Sequence, residues 1–405
     1  MKSCRVCGHT VQPFMSFGQM PVGNAFLVEE EFSTEYFFEL EPASCMNCST
    51  FQIIDVPEPQ RMFHDHYAYF ASTSSVMTDH FRSLAQHVMD DLVQSDDPFI
   101  VEIGSNDGIS LQHYAKAGVR HLGVDPSKNV SKAAANKGVT TVCAFFNEET
   151  AKSITKEYGP ADIIISTNTM HHIEDIRTVV TGAKILLKQK GLMITEDPYL
   201  GDMFRLGAYE QIYAEHNFIW SLMSMQFLFN LYDMEIVNID RNHYHGGCMR
   251  YFIGHKGEHL VSDAVETQLT KEKVLGLDKT ETFEKFRSDC ETSRQSLVQL
   301  LKDLRLRGKR VVGYGATAKS TTLLNYCGIT RDHLEFICDS TFAKQGRFTP
   351  GSHIPIYSDK VFKEAYPDYA LLLAWNHREE IFSKERAYID NGGKWIEYIP
   401  ELKIT

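Results

Sequence analysis

"DPFIVEIGSNDGISLQHYAKAGVRHLGVDPSKNVSKAAANKGV", Asp97 to Val139, decides the fold. Phe99 to Ile103 is an apolar run of strand length. It leads into Gly104-Ser105-Asn106-Asp107-Gly108, a turn whose two glycines let the backbone approach a ligand closely. A helical pattern follows. A second strand, His121 to Asp125, then ends on an acid 23 residues after Glu102. Strand, glycine-rich turn, helix, strand and acid make half of a doubly wound, nucleotide-binding sheet. The carboxylate of Asp125 suits a ribose diol, because it accepts a hydrogen bond from each hydroxyl.

Two cofactors fit this geometry, NAD and S-adenosylmethionine (SAM). A dinucleotide fingerprint reads GxGxxG and leaves a bare helix N-terminus for the pyrophosphate. Here Glu102, Asn106 and Asp107 surround the turn, and anionic groups repel a pyrophosphate. They suit a sulfonium and an ammonium, so SAM is the expected cofactor.

The α/β alternation continues. "GPADIIISTNTMHHIED", Gly159 to Asp175, reads as a fourth strand with a polar end, and "GLMITEDPYL" as a fifth. Ligands of such sheets lie beyond the carboxyl ends of the strands. That edge gathers Gly104, Asp107, Asp125, Asn168, His171, His172, Glu196 and Asp197. Of the adjacent histidines, His172 is expected to face the ligand and His171 to be structural, since neighbours rarely point the same way. One loop later "YAEH" puts Tyr213, Glu215 and His216 together, with the next helix expected to open on them. An aromatic run follows and is suited to excluding water.

Upstream, "CRVC" and "CMNC" form two CxxC knuckles, Cys4 and Cys7 with Cys45 and Cys48. Two such knuckles complete a tetrahedral Zn²⁺ site, and four thiolates leave no position open, so the zinc is expected to be structural. Between this module and the sheet, the cluster around Tyr67, Tyr69, Ser72, Ser74 and Ser75 fits either a solvated linker or a lid on a ligand. Val76 to Leu92 is then amphipathic and helical.

From about Lys256 the pattern changes. Phe283, Phe286, Cys290, Leu297, Leu301 and Leu304 recur at helical spacing, and "KRVVGYGATAKSTTLLNY" opens a second strand–turn–helix unit. Its helix start, with Lys319, Ser320, Thr321 and Thr322, suits a phosphate or is a plain loop. "LEFICDS", "IPIYS" and "YALLLAWNH" complete a smaller α/β domain. The expected organisation is residues 1–70 as zinc module, 71–258 as SAM domain, and 259–405 as helical linker and Rossmann-like domain.

The bulk properties narrow the function. A net charge of −12 argues against a protein that wraps nucleic acid, which requires a basic field. No apolar run is long enough to span a membrane, and "MKSCRVCGHT" has no apolar core of a signal peptide. A cytoplasmic protein with reduced cysteines is expected, as a monomer or weak oligomer.

Together, "CRVCG…CMNC", "VEIGSNDG", "TNTMHHIED", "EDPYL", "YAEH", "HGGCMRY" and "YGATAKS" resemble the nucleotide-sugar C-methyltransferases that methylate a ring carbon of a deoxyketosugar. The resemblance covers essentially the whole chain and departs at Cys248 and Met249, where a serine and a leucine would be usual. It implies SAM contacts from Glu102, Gly104, Asn106, Asp107, Gly108, Asp125, Phe146, Asn168, Tyr67 and Ser74. It implies catalysis by His216 as base, Tyr213 and His172 as donors toward a ketone oxygen or orienters of the base, and Glu215 as orienter or enolising group. It implies a nucleotide-diphosphate 4-keto-6-deoxysugar, thymidine- or guanosine-linked, held by His245, Arg250, Tyr314, Lys319 and Asn376. Arg250 has a second reading, as a surface arginine at a strand end. Three rival readings carry other tests: an RNA methyltransferase, an inactive SAM-fold module and an NAD oxidoreductase.

Overall fold

The protein is described by a computed structural model covering residues 2–58, 62, 71–73 and 75–405. Its centre is a seven-stranded sheet: β1 (Phe99–Ile103), β2 (Arg120–Val124), β3 (Thr141–Val142), β4 (Ala161–Thr167), β5 (Leu187–Pro198), β6 (Met234–Asn242) and β7 (Cys248–His255). The spatial order is β6-β7-β5-β4-β1-β2-β3. Strands β1 to β5 pair in parallel, whereas β7 runs antiparallel to both its neighbours. β1 is buried along its whole length, as its uninterrupted apolar run demands of a strand covered on both faces. The order reverses at β1, between β2 and β4, and the ligand edge lies there. At the turn after β1, Gly104 has φ +72 and a Cβ there would collide with the Thr169 hydroxyl.

The cysteine knuckles lie on one face of this sheet. Arg5 ties the first to Ile53 and Ile54, donating to their carbonyls at 2.6 and 2.8 Å. Pro42–Ser44 and Phe51–Ile53 form two strands of a small antiparallel sheet, and Phe218–Ile219 is its third. The "YAEH" segment therefore does not open a helix. A short 3₁₀ turn, Tyr209–Gln211, precedes it, and Phe218–Ile219 follows as a strand paired with the zinc module. The helix starts only at Leu222, where Ser221 accepts from Ser224 N at 3.1 Å and so supplies the cap.

The expected helix before β1 spans Ser75–His87 and finishes as one π turn, Val88–Leu92. Helix Thr280–Leu306 buries all six of the periodic residues, Phe283, Phe286, Cys290, Leu297, Leu301 and Leu304. It packs on a C-terminal sheet whose order is Ile356–Tyr357, Ile337–Cys338, Val311–Tyr314, Tyr369–Leu372, Lys394–Glu397 and Lys403–Ile404. Only the last strand is antiparallel. The fold is thus α/β: a cysteine-knuckle module, a Rossmann-like central domain and a smaller α/β domain. Among the described residues no helix is long and apolar enough to cross a membrane.

Candidate active site

A cavity of about 1040 Å³ opens beyond the carboxyl ends of β1, β2 and β4. All three parts of the chain line it: Asn24 from the first, the sheet edge and "YAEH" loop from the second, and Thr317 to Lys319 with Lys344, Asn376 and His377 from the third. Of the positions expected to hold SAM, Glu102, Gly104, Asn106, Asp125, Phe146 and Asn168 line this cavity. Asp125 stands at the tip of β2, where its two carboxylate oxygens accept from Asn106 N and Ser127 N, each at 2.9 Å. Burial raises its pKa. Glu102 is more deeply buried. Desolvation pushes its carboxyl well above the usual range, and among the described residues Oε2 has no hydrogen-bond partner. That orphan acceptor beside Asp125 is what a cationic amino-acid ligand would satisfy.

Two of the expected cofactor positions do not line the cavity. Asp107 turns away to Lys137, at 3.0 Å, and to Ser72. Gly108 is required by packing instead, since a Cβ there would lie 3.0 Å from Val139. Tyr67 and Ser74 lie outside the described residues. Sequence reading missed Met77 and Phe81, which join Ala71 and Ile109 in an apolar wall. Their signal was the apolar stripe of the preceding helix.

The same cavity is lined by the proton-handling groups. His216 is 3% exposed and its Nδ1 lies 2.7 Å from the Gln211 carbonyl oxygen. A carbonyl only accepts, so Nδ1 carries the hydrogen and Nε2 keeps a lone pair. Burial, reinforced by His171, His172 and Lys319, holds the pKa of this imidazole well below its ordinary value. Nε2 is therefore unprotonated at neutral pH. Tyr213 packs on His216 with ring centroids 4.0 Å apart.

The two adjacent histidines both line the cavity. They sit in a 3₁₀ turn, Met170–His172, which breaks the alternation of an extended chain. His171 is tied through Nδ1 to Asp197 Oδ1, and Thr195 donates to the other oxygen of Asp197 at 2.9 Å. Burial keeps His171 neutral and raises Asp197 to about 7. Ring nitrogens of His171, His172 and His216 lie within 4.8 Å of one another, so the three imidazoles form one cluster. Glu215 is 2% exposed, and burial raises its carboxyl to about 7. Asn24, a residue the sequence gave no reason to single out, donates to its Oε1 at 2.6 Å.

Lys319 is the second residue of the C-terminal helix Ala318–Cys327, whose cap Thr317 accepts from Ser320 N. Its ammonium donates to the His245 carbonyl at 3.2 Å and lies 5.7 Å from the Trp375 ring centroid. Burial lowers its pKa, while Glu210 opposes that shift. His245 and Asn376 line the same region. Arg250 and Tyr314 do not. Arg250 sits opposite Glu196 in the β7–β5 register and binds its buried carboxylate at 2.7 Å. His80 holds the other oxygen at 2.6 Å, so both carboxylate oxygens are paired inside the fold. Tyr314 donates to Glu385 at 2.8 Å and packs on Phe362 and Trp395 in the C-terminal core.

The four cysteine sulfurs meet the test for zinc. Cys4–Cys48 and Cys7–Cys45 are each 3.5 Å apart, and all four lie within 4.8 Å of one another. A tetrahedron with Zn–S bonds of about 2.3 Å needs S···S separations of this order.

A parallel sheet with an antiparallel β7, an acid at β2 and an orphan carboxylate at β1 define a SAM-dependent methyltransferase. Three family descriptions match along the chain: "Putative zinc binding domain" over residues 4–63, "Methyltransferase domain" over 78–239 and "C-methyltransferase C-terminal domain" over 243–400. The chain is 34% identical over 404 residues to C-methyltransferase NovU of Streptomyces niveus, covering 99% of this chain and 96% of that protein. It belongs to this family of SAM-dependent C-methyltransferases. Among solved structures, a SAM-dependent methyltransferase from Anabaena variabilis matches 44% of this chain and 86% of its own at TM-score 0.36 and 17% identity. The CcbJ methyltransferase of Streptomyces caelestis matches 44% and 90% at TM-score 0.35 and 12% identity.

Proposed function

We propose that the protein methylates C3 of a nucleotide-diphosphate-linked 4-keto-6-deoxysugar through an enolate, in the making of a branched deoxysugar. The observation that carries this reading is the tautomer of His216, a neutral imidazole with Nε2 unprotonated in the cavity. A saturated ring carbon is no nucleophile until a base removes the proton next to a ketone. His216 Nε2 takes the C3 proton, and the C–H electron pair becomes the C3=C4 bond while the carbonyl pair moves onto the oxygen. Donors around that oxygen, Tyr213, His172 and the protonated form of Glu215, bear the developing charge. SAM, when bound, supplies the methyl cation equivalent. Glu102 and Asp125 are the residues that would hold its ammonium and ribose. The enolate carbon C3 would take that methyl group, with the S–CH₃ bond broken and neutral S-adenosylhomocysteine released, while the C4 carbonyl re-forms and His216 gives up its proton to solvent.

The charge of the substrate has a counterpart. Lys319 and Lys344 line the cavity beside the start of the helix Ala318–Cys327, and both favour a diphosphate. His245 and Asn376 complete that end. The zinc is structural, since four cysteines fill its coordination sphere. We assign residues 1–70, 71–258 and 259–405 as the three domains, in a cytoplasmic monomer or weak oligomer.

The test is incubation of the protein with the thymidine- and guanosine-linked ketosugars in ²H₂O. With SAM, a methyl group at C3 is expected. With S-adenosylhomocysteine, deuterium should enter C3 without methylation. Methylation at C5, or on oxygen, would displace the reading.

A further inference from the structure

Asn24 and Glu215 are 191 residues apart in sequence and 2.6 Å apart in space. Elaborate packing brings them together. The chain at Gly23 passes so close to the helix Ala318–Cys327 that a Cβ there would lie 3.2 Å from Ala318 O and 3.3 Å from the Tyr213 ring. Thr321 donates its hydroxyl to Gly23 O at 2.9 Å. Beyond Asn24, Arg347 donates to Phe26 O at 3.1 Å, and the Lys344 ammonium lies 5.1 Å from the Phe26 ring centroid. The segment is clamped on both sides of Asn24, and Asn24 and Glu215 both line the cavity.

We propose that Asn24 is a positioning residue of the methyl-transfer site: its amide pins Oε1 of Glu215 and leaves Oε2 as the oxygen offered to the sugar. The assignment deepens the enolate reading and rests on it. A carboxyl whose one oxygen already accepts an N–H bond carries its proton on the other. Among the described residues Glu215 Oε2 has no hydrogen-bond partner, so that proton points to whatever fills the cavity. The same N–H bond favours the carboxylate, which limits how far burial raises the group. Glu215 thus stays able both to give and to take a proton near neutrality. The ionisable groups that line the cavity with it include Tyr213 and His216 on its own loop, His171 and His172 from the turn after β4, His245, and Lys319, Lys344 and His377 from the C-terminal domain. The stretch Pro21 to Phe26 brings none. The knuckle module is then part of the active site and not only an appended scaffold.

The test uses the full-length zinc protein. Wild-type turnover of a nucleotide-linked 4-keto-6-deoxysugar is measured first, and its absence removes the enolate reading together with this proposal. With turnover present, Asn24→Asp, the same size without an amide donor, and Asn24→Ala are compared by kcat, sugar KM, SAM affinity and zinc content. The expected result is a kcat lower by about 10- to 100-fold, with SAM affinity and zinc unchanged. The alkaline limb of the Asn24→Ala profile should move up by roughly half to one pH unit. A kcat within about twofold of wild type in both variants overturns the proposal alone. If both variants lose zinc, Glu215→Gln decides. Asn24 would hold its carbonyl and direct its NH₂ at the sugar, so turnover should persist with no alkaline limb. A limb that survives in Glu215→Gln overturns the proposal.

Discussion

At the scale of single residues, the direction of each shift sets the pH behaviour. His216 would ordinarily protonate near pH 6.5, but burial and three cationic or potentially cationic neighbours depress its pKa. The sign follows: a base with a lowered pKa stays unprotonated as the pH falls through 6.5. Turnover of the ketosugar should therefore hold through pH 6.5 on the acid side and fall only well below it. An acid limb centred near 6.5 would show that the base is exposed in the working enzyme, or is another group. His216→Ala should lose about 10²–10⁴-fold in kcat. Turnover near the wild-type rate would remove it as base. Asp125 makes a separate prediction at the cofactor end. Its carboxylate already accepts two backbone N–H bonds, so it is fixed before any ligand arrives. Asp125→Ala should weaken SAM binding by roughly tenfold or more in a calorimetric titration. Unchanged affinity would move the ribose elsewhere.

At the scale of elements, the chain shows which signals survive folding. The strand–turn–helix of Phe99 to Asp125 was legible because burial on both faces and a tight turn each leave a residue pattern. The six apolar residues of Thr280–Leu306 were legible for the same reason. The surroundings of "YAEH" were not. A sequence shows that Phe218 and Ile219 are apolar, but not that Phe51 and Gln52 will pair with them from 166 or so residues upstream. Asn24 was invisible on the same ground, since its partner is set by tertiary packing and no local period marks it. Arg250 read as a free cation because its counter-ion, Glu196, lies on another strand. The start of helix Leu222–Asn230 gives an element-level prediction of this hidden kind. Ser221 caps it locally, yet Glu272, on a helix 50 residues on, also accepts from Leu222 N and Met223 N at 2.8 and 2.9 Å. Glu272 is fully buried, so removing it leaves two N–H donors without acceptors or water. Glu272→Ala should destabilise the protein by about 2–4 kcal/mol in denaturant unfolding, while Glu272→Gln, which keeps one oxygen, should lose less. Equal losses would show that packing, not capping, holds the helix end.

At the scale of the whole molecule, the three parts meet at one cavity, and that meeting predicts that loss of zinc will be felt in turnover. The knuckle module does not sit apart from the site. Its sheet includes Phe218–Ile219, two residues after His216, and Ile53 N donates to Asn217 O at 3.0 Å. Asn217 in turn donates to the His172 carbonyl at 2.6 Å. Ligands that fold a small module contribute their binding free energy to its stability, so metal loss should disorder the module as a unit. Disorder there releases the "YAEH" loop and the His171–His172 turn but leaves β1 and β2 untouched, since these are held by the central sheet. Cys45→Ser, or prolonged exposure to a strong chelator, should therefore abolish methyl transfer while SAM affinity falls by less than about tenfold. Metal analysis, calorimetry with SAM and turnover on one preparation separate these effects. If SAM binding and turnover fall in step, the module stabilises the central domain generally. If turnover survives complete zinc loss, the path from Cys45 through Ile53 and Asn217 to His172 does not hold the site together.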